Sequence, residues 1–309
     1  MLGLVLACPH NPAAYRPADR WPVIHAALTG SVPQPNAFAA ETPEVVAEHH
    51  ARAERAFDAL RDRAADYAPD AVIIVADDGG ALFGEVQAPQ ITLYTGREIA
   101  GSPLYAPIGE DPAAEQIALE CEQELAQHLL VELVDRELDM TYSQFQNPQA
   151  PADRAAEGAR TVVAPAARVL PPGVPVIPLF VNTRRAPMPN GRRCYALGRA
   201  IADALADDPR RVALLAAGGL SGGPFGYPAG PIDVTMGNRW LQQLRRGRGE
   251  RLAPLFDLDS DTLRGSTAEY RQWIVAAAAA EASGAKAEVI DYVPAHHAAV
   301  GLGFAAWSA

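Results

Sequence analysis

Val212-Ala213-Leu214-Leu215-Ala216-Ala217 runs directly into Gly218-Gly219-Leu220-Ser221-Gly222-Gly223. Six consecutive apolar residues closed by glycines read as a short strand covered on both faces, because a strand with one wet face alternates apolar and polar residues. Ala71 to Ala76, Val174 to Val181 and Leu2 to Cys8 repeat the pattern. Between them, Thr42-Pro43-Glu44 opens a helix, with Thr as N-cap and Pro at the first helical position. Val45, Val46, His49, Ala53, Ala56, Phe57 and Leu60 then recur at helical spacing on one face. Further helices are expected over Ala113 to Leu133, Arg192 to Ala206, Thr235 to Leu244 and Thr267 to Ala282. Short strands are expected at Gln90 to Tyr94 and near Val289 to Val293. Strands alternating with helices predict an α/β fold, a central mixed sheet sandwiched between helical layers. A single domain over residues 1–309 is expected. Asn147 to Gly173, rich in Ala and Pro, is the one stretch that could be a linker, a lid or an interface.

Composition narrows the function classes. Hydrophobic residues are 49% and charged residues 20% of the chain, as in a globular protein. A net charge of −11 argues against nucleic acid or an anionic membrane as the main partner. Lys286 is the only lysine, which reads as bacterial GC-rich codon bias and carries no functional weight. Cys8, Cys121 and Cys194 show no metal-ligand spacing, so a reduced, cytoplasmic location is expected. Leu4 to Cys8 lacks the basic flank and the length of a signal segment, and no run reaches the ~20 apolar residues of a membrane span.

Five segments carry a resemblance. They are Leu4 to His10, a strand ending in His; Pro69 to Gly79 with Phe83 and Ile91 to Gly96; Val176 to Asn182 continuing through Gly191 to Gly198; the Gly218-Gly219-Leu220-Ser221 segment; and Ser266-Thr267-Ala268-Glu269 leading to Trp273. In order and spacing the chain resembles the class III extradiol ring-cleavage dioxygenases, of the protocatechuate 4,5-dioxygenase β-subunit type. The resemblance implies Fe(II) held by two His and one Glu, with open positions for a catechol and O₂. It makes His10 the first ligand and Glu269 the carboxylate ligand. The second His would stand where this chain has Gly79, and the acid–base His where it has Gly222. A further substrate-facing His is absent from the run after Thr141. Such a chain should hold Fe(II) poorly and lacks a base for the catechol proton, so the expected cofactor is none or a different divalent metal.

Each residue also has a plainer reading. Ser266-x-x-Glu269 is a capping box, so Glu269 can serve as a helix cap. Asp77 and Asp78 end a strand; they either stabilise a turn or donate a replacement ligand, giving a site of His10, Asp78 and Glu269 suited to Mn²⁺, Mg²⁺ or Zn²⁺. His49 reads as a core or interface histidine. His296 and His297 are the candidates for a replacement base or ligand. Arg184, Arg185, Arg192 and Arg193 read as a solvated surface or a carboxylate site. The paired glycines at 218–219 and 222–223 lack a phosphate-loop pattern and suggest a pocket floor widened by a lost imidazole.

Three functions follow. The first is a non-catalytic partner subunit, a pseudoenzyme paired with a catalytic homologue in a homo- or hetero-oligomer. The second is a repurposed enzyme acting on an aromatic or carbonyl substrate in the same pocket without O₂ activation. The third is a metal-dependent dioxygenase with substitute ligands. All three allow a small aromatic ligand.

Overall fold

A computed structural model of the chain describes residues 2–30, 35–83, 87–146, 155–222, 232–258 and 260–308. Gly223 and residues 147–154 of the Ala/Pro-rich stretch therefore lie outside the described residues. In chain order the first elements are β1 (Leu2–Cys8), α1 (Trp21–Thr29), α2 (Asn36–Ala40), α3 (Pro43–Tyr67), β2 (Ala71–Ala76), β3 (Ile91–Tyr94), β4 (Glu98–Gly101) and β5 (Ile117–Glu120). There follow α4 (Gln123–Asp135), β6 (Thr141–Ser143), α5 (Arg160–Val169), β7 (Val176–Val181), α6 (Gly191–Ala204), β8 (Val212–Ala217) and α7 (Val234–Arg245). The chain then forms a 3-10 segment (Gly249–Asp257), α8 (Tyr270–Ala282), β9 (Lys286–Ala295) and β10 (Val300–Ser308).

Eight strands form one mixed sheet in the order β6-β3-β7-β2-β8-β1-β10-β9. Its centre, β7-β2-β8-β1, is parallel, and antiparallel β3 and β10 flank it. The apolar runs are buried on both faces, as read from the sequence. Along β2, Ile73 and Val75 join a core with α4, α6, α7 and α8, while Val72 and Ile74 join a second core with α1, α3 and α5. The sheet is thus sandwiched between helical layers, and it draws strands from residues 2 to 308.

Two expectations need correction. Ala113 to Leu133 is not one helix. Pro112–Ala114 makes a single 3-10 turn, Ile117–Glu120 pairs antiparallel with β4, and the helix begins only at Gln123, where the Glu122 carboxylate caps the Leu125 N–H. Ile117 to Glu120 alternate half-buried and exposed, the period of a strand and not of a helix. The last strand is also not the one near Val289 to Val293. β10 follows it and inserts between β9 and β1, so that Leu4 pairs with Ser308. Gly301 and Gly303 interrupt its apolar pattern; their missing side chains leave room for Leu220 and Tyr292.

Candidate metal centre

β2, β8 and β1 are neighbouring parallel strands, and their carboxyl ends form the crevice where α/β proteins gather ligands. Three side chains meet there. His10 lies just past β1, Asp77 just past β2, and Glu269 at the start of α8, against the turn that follows β8. One ligand atom from each lies within 4.8 Å of the others, and all three residues are buried. His10 Nε2 stands 3.2 Å from Glu269 Oε2 and 3.9 Å from Asp77 Oδ1, yet neither ring nitrogen of His10 completes a hydrogen bond.

The carboxylates are held from behind. Asp77 Oδ1 accepts from the Gly79 N–H at 2.9 Å, and Asp77 Oδ2 accepts from the Thr183 hydroxyl at 3.0 Å. Glu269 Oε2 accepts from the Gly219 N–H at 2.6 Å, and the Trp273 indole N–H donates to Gly218 O at 2.9 Å. Outer-layer bonds of this kind fix carboxylate orientation around a cation. Glu269 makes no capping bond; its side chain is spent on Gly219, which settles the capping-box reading against the cap. Arg160 donates to His10 O at 3.0 Å and stacks its guanidinium over Tyr105.

Burial alone would depress the His10 pKa, but the Glu269 and Asp77 charges outweigh it and raise it above 6.5. Burial alone would lift Asp77, but the His10 charge, Arg184 and the Gly79 and Thr183 hydrogen bonds hold it below 3.8. The signs set a pH window for protein free of divalent ions. The His10 contribution is complete below about pH 6.5 and is lost as pH rises through its raised value. The Asp77 contribution is complete above about pH 3.8 and is lost as pH falls through its depressed value. Urea unfolding across pH is therefore expected to show the cluster's stabilisation at its fullest between those limits. His10→Asn should remove the alkaline fall in that profile; an unchanged fall would contradict the assignment.

The other sequence candidates are placed differently. Asp78, not Asp77, was the expected third ligand. Its carboxylate instead accepts from the Phe83 N–H at 3.3 Å, and burial together with the Asp77 charge raises its pKa. Asp77 continues the side of β2 that carries Ile73 and Val75, facing the layer of α8, whereas Asp78 falls on the opposite parity. Asp78 borders a cavity of about 20 Å³ with Phe180, Asn182, Arg184 and Arg185, which has room for little more than a water molecule. Arg192 and Arg193 pair with Asp257 and Asp139.

His296 and His297 are engaged by Glu41. Both backbone N–H groups donate to its carboxylate at 2.8 and 2.7 Å, and His297 Nδ1 lies 2.8 Å from Glu41 Oε2. The half-buried His49 reaches the same carboxylate, its Nδ1 3.2 Å from Glu41 Oε1. Burial raises the Glu41 pKa, but the close approach of His49 and the hydrogen bonds from His296 and His297 outweigh it and bring it down to about 2. Phe38 stacks between His25 and His297 at 4.3 and 4.1 Å. Glu41 had no sequence signal: it lies in a loop, 255 and 256 residues from His296 and His297.

Gly222 is not a widened floor. A Cβ there would lie 2.8 Å from Ala299 O and 3.1 Å from Ser266 Cβ, so the chain has closed over the position. Its N–H donates to Thr267 Oγ1 at 3.2 Å. Gly222→His is expected to lose about 1–3 kcal/mol in urea unfolding through overpacking; a stability equal to the parent would show that an imidazole still fits. At position 79, φ is +63° and a Cβ would sit 3.3 Å from Thr161 Cγ2, so a histidine there would be strained.

Fold and cluster together define an α/β protein with a buried one-histidine, two-carboxylate site at the strand ends. The model of the family described as the catalytic LigB subunit of aromatic ring-opening dioxygenase matches residues 33–304, and the chain belongs to that family. One curated relative, the 2,3-dihydroxyphenylpropionate/2,3-dihydroxicinnamic acid 1,2-dioxygenase of Photorhabdus laumondii subsp. laumondii, is 46% identical over 50 residues. That match spans only 16% of this chain and 16% of the relative. Among solved structures, the crystal structure of uncharacterized protein JW3007 from Escherichia coli K12 aligns with a TM-score of 0.48 at 13% identity, covering 98% of this chain and 99% of that chain. No described helix is long and apolar enough to cross a membrane.

Proposed function

We propose that this chain holds a divalent cation through His10, Asp77 and Glu269 and acts on a small aromatic substrate bearing hydroxyl or carbonyl oxygens. One observation carries the reading: three buried ligand atoms converge while the imidazole between two carboxylates completes no hydrogen bond. A purely structural ion pair would direct its N–H groups at the oxygens. Asp77 then substitutes for the second histidine, lost at Gly79, and the donor set suits Mn²⁺, Mg²⁺ or Zn²⁺ as well as Fe²⁺.

A cation held there supplies Lewis-acid polarisation of a substrate oxygen, with iron adding the dioxygen chemistry in the family's name. The chain's own residues do the remaining work. His10 offers a neutral lone pair, and the two carboxylates balance the ion's charge. Thr183, Gly79 and Gly219 keep those carboxylates aimed. With glycine at 222, no imidazole at that position moves the substrate proton. General acid–base groups contribute about 10²–10⁴ in rate, so catechol opening should be slower by that order than in a relative that retains the histidine. Metal analysis of protein purified without chelators, then loaded with Fe²⁺, Mn²⁺ or Zn²⁺, is expected to return one equivalent. Absence of metal after all three loadings overturns the proposal.

A second reading is favoured by the closure around Gly222: a non-catalytic subunit that pairs with a catalytic homologue. Protein that stays metal-free after loading and is recovered in complex with a co-expressed homologous chain would support it over the first.

A further inference from the structure

A second cavity, of about 230 Å³, opens between α7 and the 3-10 segment Gly249–Asp257. A cavity of about 150 Å³ is enough to hold a benzene ring. Met236, Trp240, Leu252 and Leu255 give it an apolar lining, and Arg239 and Arg251 supply charge at the exposed edge. Neither guanidinium has an ion-pair or side-chain hydrogen-bond partner among the described residues, in a chain of net charge −11. Two buried polar atoms in the lining residues also lack partners: the Trp240 indole nitrogen and Gln243 Oε1. Buried polar groups are nearly always satisfied, so the helix behind this cavity carries two polar groups that the described residues leave unpaired.

We propose that this cavity binds a small organic carboxylate with an aromatic-sized apolar body. Two guanidiniums flank the carboxylate, the arrangement that charge-assisted pairing favours, and the body lies against Trp240, Leu252 and Leu255. The site is separate from the His10–Asp77–Glu269 cluster, and the inference does not rest on the metal reading. The two regions are nonetheless linked: Trp240 stacks on Tyr270 at 4.2 Å, and Tyr270 follows Glu269 directly. Occupancy of the cavity therefore bears on the helix start that presents Glu269.

The test uses benzoate as probe and benzamide, its neutral counterpart, as control, read by ligand-observed NMR and tryptophan fluorescence. Benzoate is expected to bind the full chain with a Kd of about 1 mM or tighter and benzamide at least tenfold more weakly. The double variant Arg239→Ala/Arg251→Ala, altered only at exposed side chains, should bind benzoate about tenfold or more weakly while its unfolding curve stays unchanged. No saturable benzoate binding, or binding equal in parent and double variant, overturns the proposal. So does binding that survives the double variant but is lost in His10→Ala, which would place the benzoate at the other centre.

Discussion

His10→Ala is expected to lower divalent-cation affinity by more than about 100-fold, measured by competition with a chromogenic chelator. Outer-layer substitutions alone cost about 10–100-fold at metal sites, and this one removes the only nitrogen donor in the cluster. The same variant leaves Asp77 and Glu269 buried side by side without the imidazole between them. Breaking a buried ion pair from one side costs about 3–5 kcal/mol, so metal-free His10→Ala should unfold at markedly lower urea below about pH 6.5, where the imidazole is charged. The deficit should be fullest between about pH 3.8 and 6.5 and shrink as pH rises through the raised His10 value. Unchanged metal affinity would remove His10 from the site.

Trp273→Ala should be strongly destabilising, by about 3–5 kcal/mol in urea unfolding. Trp273 is fully buried, packs edge-on against Trp307, and its N–H is the donor to Gly218 O. Loss of the indole leaves a cavity and an unpaired carbonyl in the turn that also positions Glu269 through Gly219. Cation affinity should therefore fall together with stability. Trp273→Phe separates the two effects: it keeps most of the apolar volume and loses about 1–3 kcal/mol for the unpaired carbonyl. A Trp273→Ala protein as stable as the parent would show that the turn is held elsewhere.

Much of the site was legible because two of its ligands stand at strand ends and the third binds the turn after a strand, and strand ends are marked by continuous apolar runs. Ala71 to Ala76 located Asp77 and Asp78, Leu2 to Cys8 located His10, and the glycines after Val212 to Ala217 located the turn that holds Glu269. The choice between Asp77 and Asp78 was not legible from the run itself. Neighbouring residues on a strand point to opposite faces, and which face holds α8 is a property of the packed sheet. Ile117 to Glu120 was misread as helix because its apolar residues merge with those of Leu125 to Leu133; only pairing with β4 separates them.

The sequence by itself determined the layered α/β architecture and the family, since burial on both faces demands apolar runs and the family motifs follow their ends in order. Tertiary structure alone decided the rest. Asp77 joins His10 and Glu269 because three adjacent parallel strands end at one level. His296 and His297 are claimed by Glu41, far away in the chain, because a buried carboxylate needs donors and the loop before α3 brings one to them. Gly222, which read as an opening, is a close contact, because the backbone at Ala299 lies against it.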